Sequence, residues 1–271
     1  MIAYDMTFQT TRSYIEYLQS IGRMSFSFDE LESHIPKSKT AILGDLHRLK
    51  KARHITLLRE KFYLILSPEY RSKEMLPYTF FVDDLMTWLN RPYYVSLLSA
   101  ASLHGITTQA VHSVFITTTR PPLRDILKPT IHMHFLVNSQ FPQYGIDTLK
   151  SVTDYIQVSS PELTAIDLLK YSEKSGGIYQ TISLIRDLSE KMNVTRLEKV
   201  IGEDQPTVIL QRLGFILDRY SKRKDLLSFI SEELSGRNLR YTMLAPSESC
   251  KETERDKRWK VIKNIYEDEI E

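Results

Sequence analysis

The sequence is poor in cysteine and glycine, and it has no long hydrophobic run. Its 271 residues include one cysteine, Cys250, which excludes an intramolecular disulfide framework and any multi-cysteine metal site. No segment approaches the roughly 20 apolar residues of a membrane span. The first thirty residues lack the apolar core of a signal peptide. These absences predict a cytoplasmic protein that does not enter a membrane.

Glycine is also missing where nucleotide-binding motifs require it. Two of the nine glycines stand in SEKSGG at residues 172–177, but this segment lacks the GxxxxGK[ST] framework that holds phosphates. The sequence contains no nucleophile elbow, HExxH motif or kinase-like set. We therefore predict that the protein is not an enzyme and needs no cofactor. A nucleotide-dependent enzyme without a known motif is the weakest alternative.

The histidines and carboxylates do not predict a metal site. His132 and His134 stand two apart on a predicted strand, so both face the same way, but no third ligand accompanies them. Asp83 and Asp84 lack a second carboxylate cluster. We interpret the histidines as polar strand residues and the aspartates as charges near a helix start.

A concentration of positive charge stands out from an otherwise ordinary composition. Hydrophobic residues make up 42% and charged residues 26% of the chain, and the net charge is +2. Residues 37–61 alone contain eight basic and two acidic side chains, a net charge of +6. A local basic segment attracts phosphate even when the whole protein is nearly neutral.

The first 76 residues predict three helices followed by a β-hairpin. Helical spacing of apolar residues predicts a first helix over 7–21. Ser27 and Glu30 have the capping-box spacing for a second helix, which Pro36 ends. Ser38 is a suitable N-cap for a third helix over 39–51. ITLLREKFYLIL alternates as two strands with residues 59–60 at the tip. This is the order of a winged helix-turn-helix domain, which we expect to end at residue 76.

The third helix has an apolar face and a basic face. Ile42, Leu46 and Leu49 project to one side, whereas Gly44 lies on the other, where the backbone could approach a partner. In a winged helix-turn-helix the third helix enters the major groove and the hairpin contacts flanking phosphate. The residues predicted to bind DNA are Lys37, Ser38, Lys39, Thr40, His47, Arg48, Lys51, Arg59 and Lys61. A module that holds a protein partner without DNA specificity is the alternative.

Residues 77–271 predict a larger, mostly helical α/β domain with a small sheet, so that the whole chain is α+β. Helices are predicted at 80–89 and 93–104, and strands at 113–119 and 130–137. A short strand leads to a helix capped by Ser160, with Pro161 at its first position. Further helices are predicted at 178–191, 195–201, 206–220 and 225–234, and a terminal strand or docking segment at 259–265.

Several segments together resemble the AbiEi-type antitoxins of abortive-infection toxin–antitoxin systems. They are the N-terminal winged helix, RPYYVSLLSAASLHGIT, a β-segment ending FITTTR, VSSPELTAIDLL, and a terminal DKRWKVIKNI. The resemblance implies a transcriptional regulator that binds inverted repeats upstream of its own operon. It also implies that the larger domain counteracts a nucleotidyltransferase-like toxin without requiring a stable complex. An inverted repeat would require two copies, and thus a homodimer on DNA.

A second basic run lies near the C-terminal part of the chain. RYSKRK contains Arg219, Lys222, Arg223 and Lys224. Such a run is usually a solvated helix end. The functional alternative is a second nucleic-acid surface that contacts further DNA or an RNA.

Overall fold

The computed structural model describes residues 7–107, 113–202, 205–248 and 253–266. Helices and strands alternate irregularly along the chain, and the α+β class predicted from the sequence is confirmed. Cys250 lies outside the described residues.

The N-terminal region has three helices and a three-stranded antiparallel sheet. Strand β3 lies in the middle of this sheet, with β1 and β2 on either side. The predicted order of three helices and a hairpin is therefore present, and β1 is an addition. The elements are α1 (Thr11–Ser20), β1 (Ser25–Ser27), α2 (Phe28–His34), α3 (Lys39–Lys51), β2 (Ile55–Arg59) and β3 (Phe62–Ile65).

The helix boundaries follow local capping chemistry. Ser27 accepts a hydrogen bond from the Glu30 N–H at 3.1 Å, and the Glu30 carboxylate accepts one from the Ser27 N–H, so the predicted capping box is present. Ser38 caps α3 by accepting from the Ala41 N–H at 3.3 Å. The first helix begins at Thr11, later than predicted, because Thr10 provides its N-cap.

One face of each helix packs into the core of this region. Tyr14 and Leu18 of α1 pack with Ile42 and Leu46 of α3 and with Phe26 of β1 in one buried cluster. Each fully buried aliphatic or aromatic side chain of this size contributes about 1.5–3 kcal/mol. The buried face predicted for α3 is confirmed, and it fixes which face of α3 remains exposed.

The remaining chain forms most of its strands before most of its helices, with two short helices near its start and three short strands at its end. Most predicted elements are present within a few residues. The elements are α4 (Val82–Trp88), β4 (Tyr93–Val95), α5 (Leu97–Leu103), β5 (Ser113–Thr118), β6 (Ile126–Lys128), β7 (Ile131–Val137), β8 (Ile146–Lys150), β9 (Tyr155–Ser159), α6 (Pro161–Lys170), α7 (Gly177–Ser189), α8 (Val194–Ile201), α9 (Thr207–Tyr220), α10 (Lys224–Ser235), β10 (Thr242–Met243), β11 (Glu254–Asp256) and β12 (Val261–Lys263).

The helix predicted over residues 93–104 was wrong at its start. Residues 93–95 form strand β4, in which Val95 lies opposite Val158 of the parallel strand β9. The chain then turns through an extended Ser96, and Leu97 takes a left-handed φ of 51°. A tertiary β pairing therefore overrides the helical pattern for three residues.

Six strands form the largest sheet, in the order β6-β7-β5-β4-β9-β8. Strands β5 and β7 are parallel over the whole length of β5, from Ser113 opposite His132 to Thr118 opposite Val137. Strand β6 is antiparallel to β7. The sequence predicted β5, β7 and β9, and the structure adds the short strands β4, β6 and β8.

Contacts between residues divide the chain into two compact units. Of the described residues, those within 1–93, 112–138 and 148–157 form the first unit, and those within 94–111, 139–147 and 158–271 form the second. Residues 77–93 are thus grouped with the N-terminal region. The predicted domain boundary after residue 76 stays a prediction. No helix in the described part of the chain is long and apolar enough to cross a membrane.

Candidate nucleic-acid interface

The exposed face of α3 is polar and basic. Lys39, Thr40, His47, Arg48 and Lys51 are exposed on this helix. Between them, a Cβ added to Gly44 would meet nothing within 4 Å. The helix therefore presents cations and hydrogen-bonding groups around Gly44, where no side chain projects from the backbone.

The N-terminal end of α3 is shaped by contacts within the first unit. The Ser38 hydroxyl is used as the helix cap. The Lys39 ammonium lies 5.6 Å from the centre of the Phe28 ring, a cation–π distance. The Lys37 ammonium donates to Asp45 at 3.0 Å. All three residues are exposed.

Asp45 organises two of the predicted DNA-binding cations. Its carboxylate accepts from the Thr11 hydroxyl at 3.0 Å, from Lys37 at 3.0 Å and from the Arg48 guanidinium. Burial raises the pKa of Asp45, but the hydrogen bonds from Lys37, Thr11 and Arg48 together hold it below its usual value. Asp45 was not predicted from the sequence to be part of the site, although an acidic residue inside a basic run was a usable signal.

The two predicted DNA-binding cations of the β2–β3 hairpin, Arg59 and Lys61, form only weak contacts with other residues. The turn is formed by Glu60 and Lys61, one residue later than predicted, with Lys61 in the left-handed region at a φ of 63°. The Lys61 ammonium lies 3.2 Å from Asp29, with both side chains at least half exposed. The Arg59 guanidinium donates to the Arg124 carbonyl at 3.4 Å. Such exposed pairs contribute about 0–1 kcal/mol, so phosphate could replace these partners.

A groove lies at the C-terminal end of α3. Its volume is about 480 Å³, and it is formed within the first unit by α3, β2 and the segment after β3. His47 and Lys51 are among the residues predicted to bind DNA, whereas Lys50 and Arg53 are not. The lining residues are His47, Lys50, Lys51, Arg53, Ile55, Thr56 and Glu74.

The second predicted basic surface lies in the second unit. Lys222, Lys224 and Arg219 are exposed. Arg223 differs, because its guanidinium donates to the Ser189 carbonyl at 2.6 Å and to the Met192 carbonyl at 3.0 Å. It also forms a two-bond pair with Asp225, at 2.9 and 2.7 Å. Arg223 therefore has a structural use, and a nucleic-acid role for the run stays a prediction.

Three of the four residues considered as metal ligands have polar protein partners. His134 Nδ1 lies 2.7 Å from an Asp125 carboxylate oxygen, and the Asp83 carboxylate accepts from the Tyr93 hydroxyl at 2.9 Å. Asp84 accepts from Arg23 and Ser25. Across the residues whose positions are described, no group of three or more His, Cys, Asp or Glu is placed to hold a metal ion.

Comparison with known families bears on a segment that includes residues of both units. Residues 94–219 match the model of the AbiEi antitoxin C-terminal domain. The resemblance predicted from the sequence is confirmed over these residues. They include RPYYVSLLSAASLHGIT from Tyr94 onward and the whole of VSSPELTAIDLL. Over these residues the chain is therefore similar to the C-terminal domain of AbiEi antitoxins.

Solved structures show which folds are similar. This chain aligns with the crystal structure of the RV2827C protein from Mycobacterium tuberculosis. The alignment covers 97% of this chain and 95% of the other, with 14% identity and a TM-score of 0.64. The shared fold thus extends over nearly the whole chain, beyond the matched family segment.

Two further solved structures have much lower TM-scores. The alignment with antibiotic-resistance factor ANT(2'')-Ia covers 45% of this chain and 85% of that protein, at 10% identity and a TM-score of 0.33. The alignment with an antigenic nucleotidyltransferase-like protein from Paracoccidioides brasiliensis covers 55% of this chain and 88% of that protein. The identity is 11% and the TM-score is 0.32. No curated protein matches the chain.

Proposed function

We propose that this protein is a DNA-binding antitoxin that represses its own toxin–antitoxin operon. The observation that carries the proposal is the two-sided character of α3. Ile42 and Leu46 are buried in the core of the first unit, whereas His47, Arg48 and Lys51 are exposed beside them. A helix held by one face and basic on the other can lie in the major groove of DNA.

The dimensions of α3 and the hairpin suit this role. Thirteen residues give a helix of about 20 Å, and the major groove is about 12 Å wide. Thr40, His47, Arg48 and Lys51 would face the bases or the groove edges. Arg59 and Lys61 on the hairpin would contact flanking phosphate, and Lys37 and Lys39 would add contacts at the helix start.

The antitoxin half of the proposal is supported by the family match over residues 94–219. We propose that this part of the chain counteracts a nucleotidyltransferase-like toxin, and that a stable complex is not required. Binding to inverted repeats would place two copies of the chain on one operator as a homodimer.

A salt titration tests the DNA-binding half. The full chain is titrated with duplex from its own upstream region, with unrelated duplex of equal length as competitor. We expect competitor-resistant binding with a steep salt dependence, which flattens when Arg48 and Lys51 are replaced by alanine. Equal, weak binding to both duplexes would remove operator recognition from the proposal.

Co-expression tests the antitoxin half independently. A nucleotidyltransferase-like toxin encoded beside the gene is expressed with the full chain or with its R48A/K51A variant. We expect both chains to restore growth, because the variant leaves residues 94–219 unchanged. Failure of the wild-type chain to restore growth would contradict the antitoxin role while leaving operator binding intact.

One observation favours a protein partner as the second candidate. Leu43 on α3 is 46% exposed, next to the basic face, and exposed apolar groups are common at protein interfaces. On DNA the same side chain could contact a thymine methyl group. If operator binding fails and L43A weakens binding to a protein partner, α3 is a protein-interaction surface.

A further inference from the structure

The groove at the C-terminal end of α3 has the composition of an anion site. Three cations and a histidine line one concavity of about 480 Å³, together with Thr56 and Glu74. Basic side chains that line one concavity suit an anion with several oxygen atoms, such as a phosphate. The cations of this groove are Lys50, Lys51 and Arg53.

Arg53 occupies a backbone position that favours glycine. The N–H of Arg53 donates to the Lys50 carbonyl at 3.0 Å, and the N–H of His54 donates to the Leu49 carbonyl at 3.0 Å. This pair of bonds is the Schellman motif, in which the residue after the C-cap is left-handed and usually glycine. Arg53 has a φ of 56°. An arginine where the local rule calls for glycine indicates a use for the side chain.

Glu74 supplies a carboxylate to the same groove. Its oxygen lies 2.8 Å from the Arg53 guanidinium, and the two side chains are 59% and 53% exposed. Glu74 is itself left-handed, with a φ of 51°, which is uncommon for a residue with a side chain. An exposed pair of this kind is weak, so a better anion can displace the carboxylate.

We propose that this groove binds a backbone phosphate of DNA, and that Glu74 occupies Arg53 until the phosphate displaces it. The proposal rests on the DNA-binding function proposed above. It adds Lys50 and Arg53 to the DNA contacts and makes Glu74 an internal competitor of the phosphate. Cations near a helix C-terminus also stabilise the helix, so DNA affinity and thermal stability must be measured together.

Four variants of the full chain test the proposal: R53G, K50A, E74Q and, as a charge-loss control, K174A on an exposed turn of the second unit. Dissociation constants are measured against salt for duplex from the upstream region and for unrelated duplex. We expect R53G and K50A each to raise Kd about 3–10-fold and to lower the salt slope by about one. E74Q lowers Kd by a similar factor, and K174A leaves it unchanged.

Thermal unfolding separates binding from folding. We expect R53G to unfold at the same temperature as the wild type or higher, because glycine relieves the left-handed backbone. Lower stability of R53G would contradict that part of the argument, and K50A would then decide the phosphate contact. Unchanged Kd and slope in both R53G and K50A would overturn the phosphate site. Unchanged Kd in E74Q would overturn the competitor role.

The two proposals fail in different ways. If the wild-type chain binds both duplexes equally, operator recognition fails, but the expected effects of R53G and E74Q on the unrelated duplex would still support the groove. If the wild type binds the upstream duplex selectively and the variants change nothing, the groove fails and operator recognition stands. Binding to neither duplex overturns both.

Discussion

The indole ring of Trp259 lies directly against Gly214 of helix α9. A Cβ at residue 214 would come within 2.2 Å of Trp259 Cζ3, a separation that side chains do not reach. Trp259 is only 2% exposed, and its Nε1–H donates to Asp218 at 2.8 Å, one turn further along α9. The predicted anchoring of the terminal segment thus depends on a glycine in the middle of a helix.

Replacing Gly214 with alanine should destabilise the protein. Overpacking a buried contact costs about 1–3 kcal/mol, and it outweighs the roughly 1 kcal/mol that alanine gains over glycine in a helix. We expect the free energy of unfolding in urea to fall, with a shift in the tryptophan fluorescence of the folded state. Unchanged stability would mean that the Trp259 ring can move away at little cost.

Gly44→Ala is the matched comparison in helix α3. Because nothing lies within 4 Å of the added methyl group, we expect it to raise stability by about 0.5–1 kcal/mol. The same methyl group would stand in the centre of the proposed DNA-binding face. We therefore expect weaker binding to the upstream duplex despite higher stability. If binding is also retained, the backbone at Gly44 does not approach DNA.

Helix α3 was predicted to the residue, whereas strand β4 was not. The N-cap Ser38 and the apolar positions of α3 are local signals, so the sequence alone carries them. Residues 93–95 form a short apolar run that fits a strand or a buried helix equally well. Only the pairing of Val95 with Val158, far away in sequence, decides between them.

The same distinction applies to the candidate site. The exposed cations of α3 follow from helical geometry, but Glu74 reaches Arg53 only through the fold of the first unit. In the sequence, Arg223 is one of four basic residues in RYSKRK, and no local pattern distinguishes it from the other three. Its role depends on the carbonyls of Ser189 and Met192, more than thirty residues earlier, and no local pattern reveals them.

Asp167 should make stability depend on pH. It is buried and accepts from the Tyr94 hydroxyl at 3.0 Å, and burial raises its pKa to about 6. The folded state therefore holds a proton that the unfolded state releases near pH 4. The resulting stability is present below about pH 4 and is lost as the pH rises to about 6, a loss on the order of 3 kcal/mol.

The variant D167N isolates this effect, because its side chain cannot ionise. We expect the free energy of unfolding of D167N to increase relative to that of the wild type as the pH rises from about 4 to 7, with other titrating groups cancelling in the difference. Urea titrations at several pH values give this difference. A difference that does not change with pH would show that the Asp167 carboxyl titrates alike in both states.

Arg223→Ala should act on stability. The substitution leaves the Ser189 and Met192 carbonyls without their guanidinium donor, which costs about 1–3 kcal/mol when such groups lose their partner. Its neighbour Lys222 is exposed, and K222A should leave stability within about 0.5 kcal/mol of the wild type. Thermal unfolding measures both. Equal behaviour of the two variants would return Arg223 to the predicted nucleic-acid surface.

Asp45→Asn tests whether the carboxylate positions Lys37 and Arg48 for DNA. The variant keeps a side chain of the same size but removes a negative charge from the basic face. We expect tighter binding to unrelated duplex, because repulsion of phosphate is relieved. We also expect a smaller preference for the upstream duplex, because the Arg48 guanidinium loses its fixed partner.

The ratio of the two dissociation constants measures this preference. The matched control is D29N, which removes a carboxylate from Lys61 on the hairpin. If D45N and D29N reduce the ratio equally, removal of charge alone explains the result and Asp45 has no positioning role.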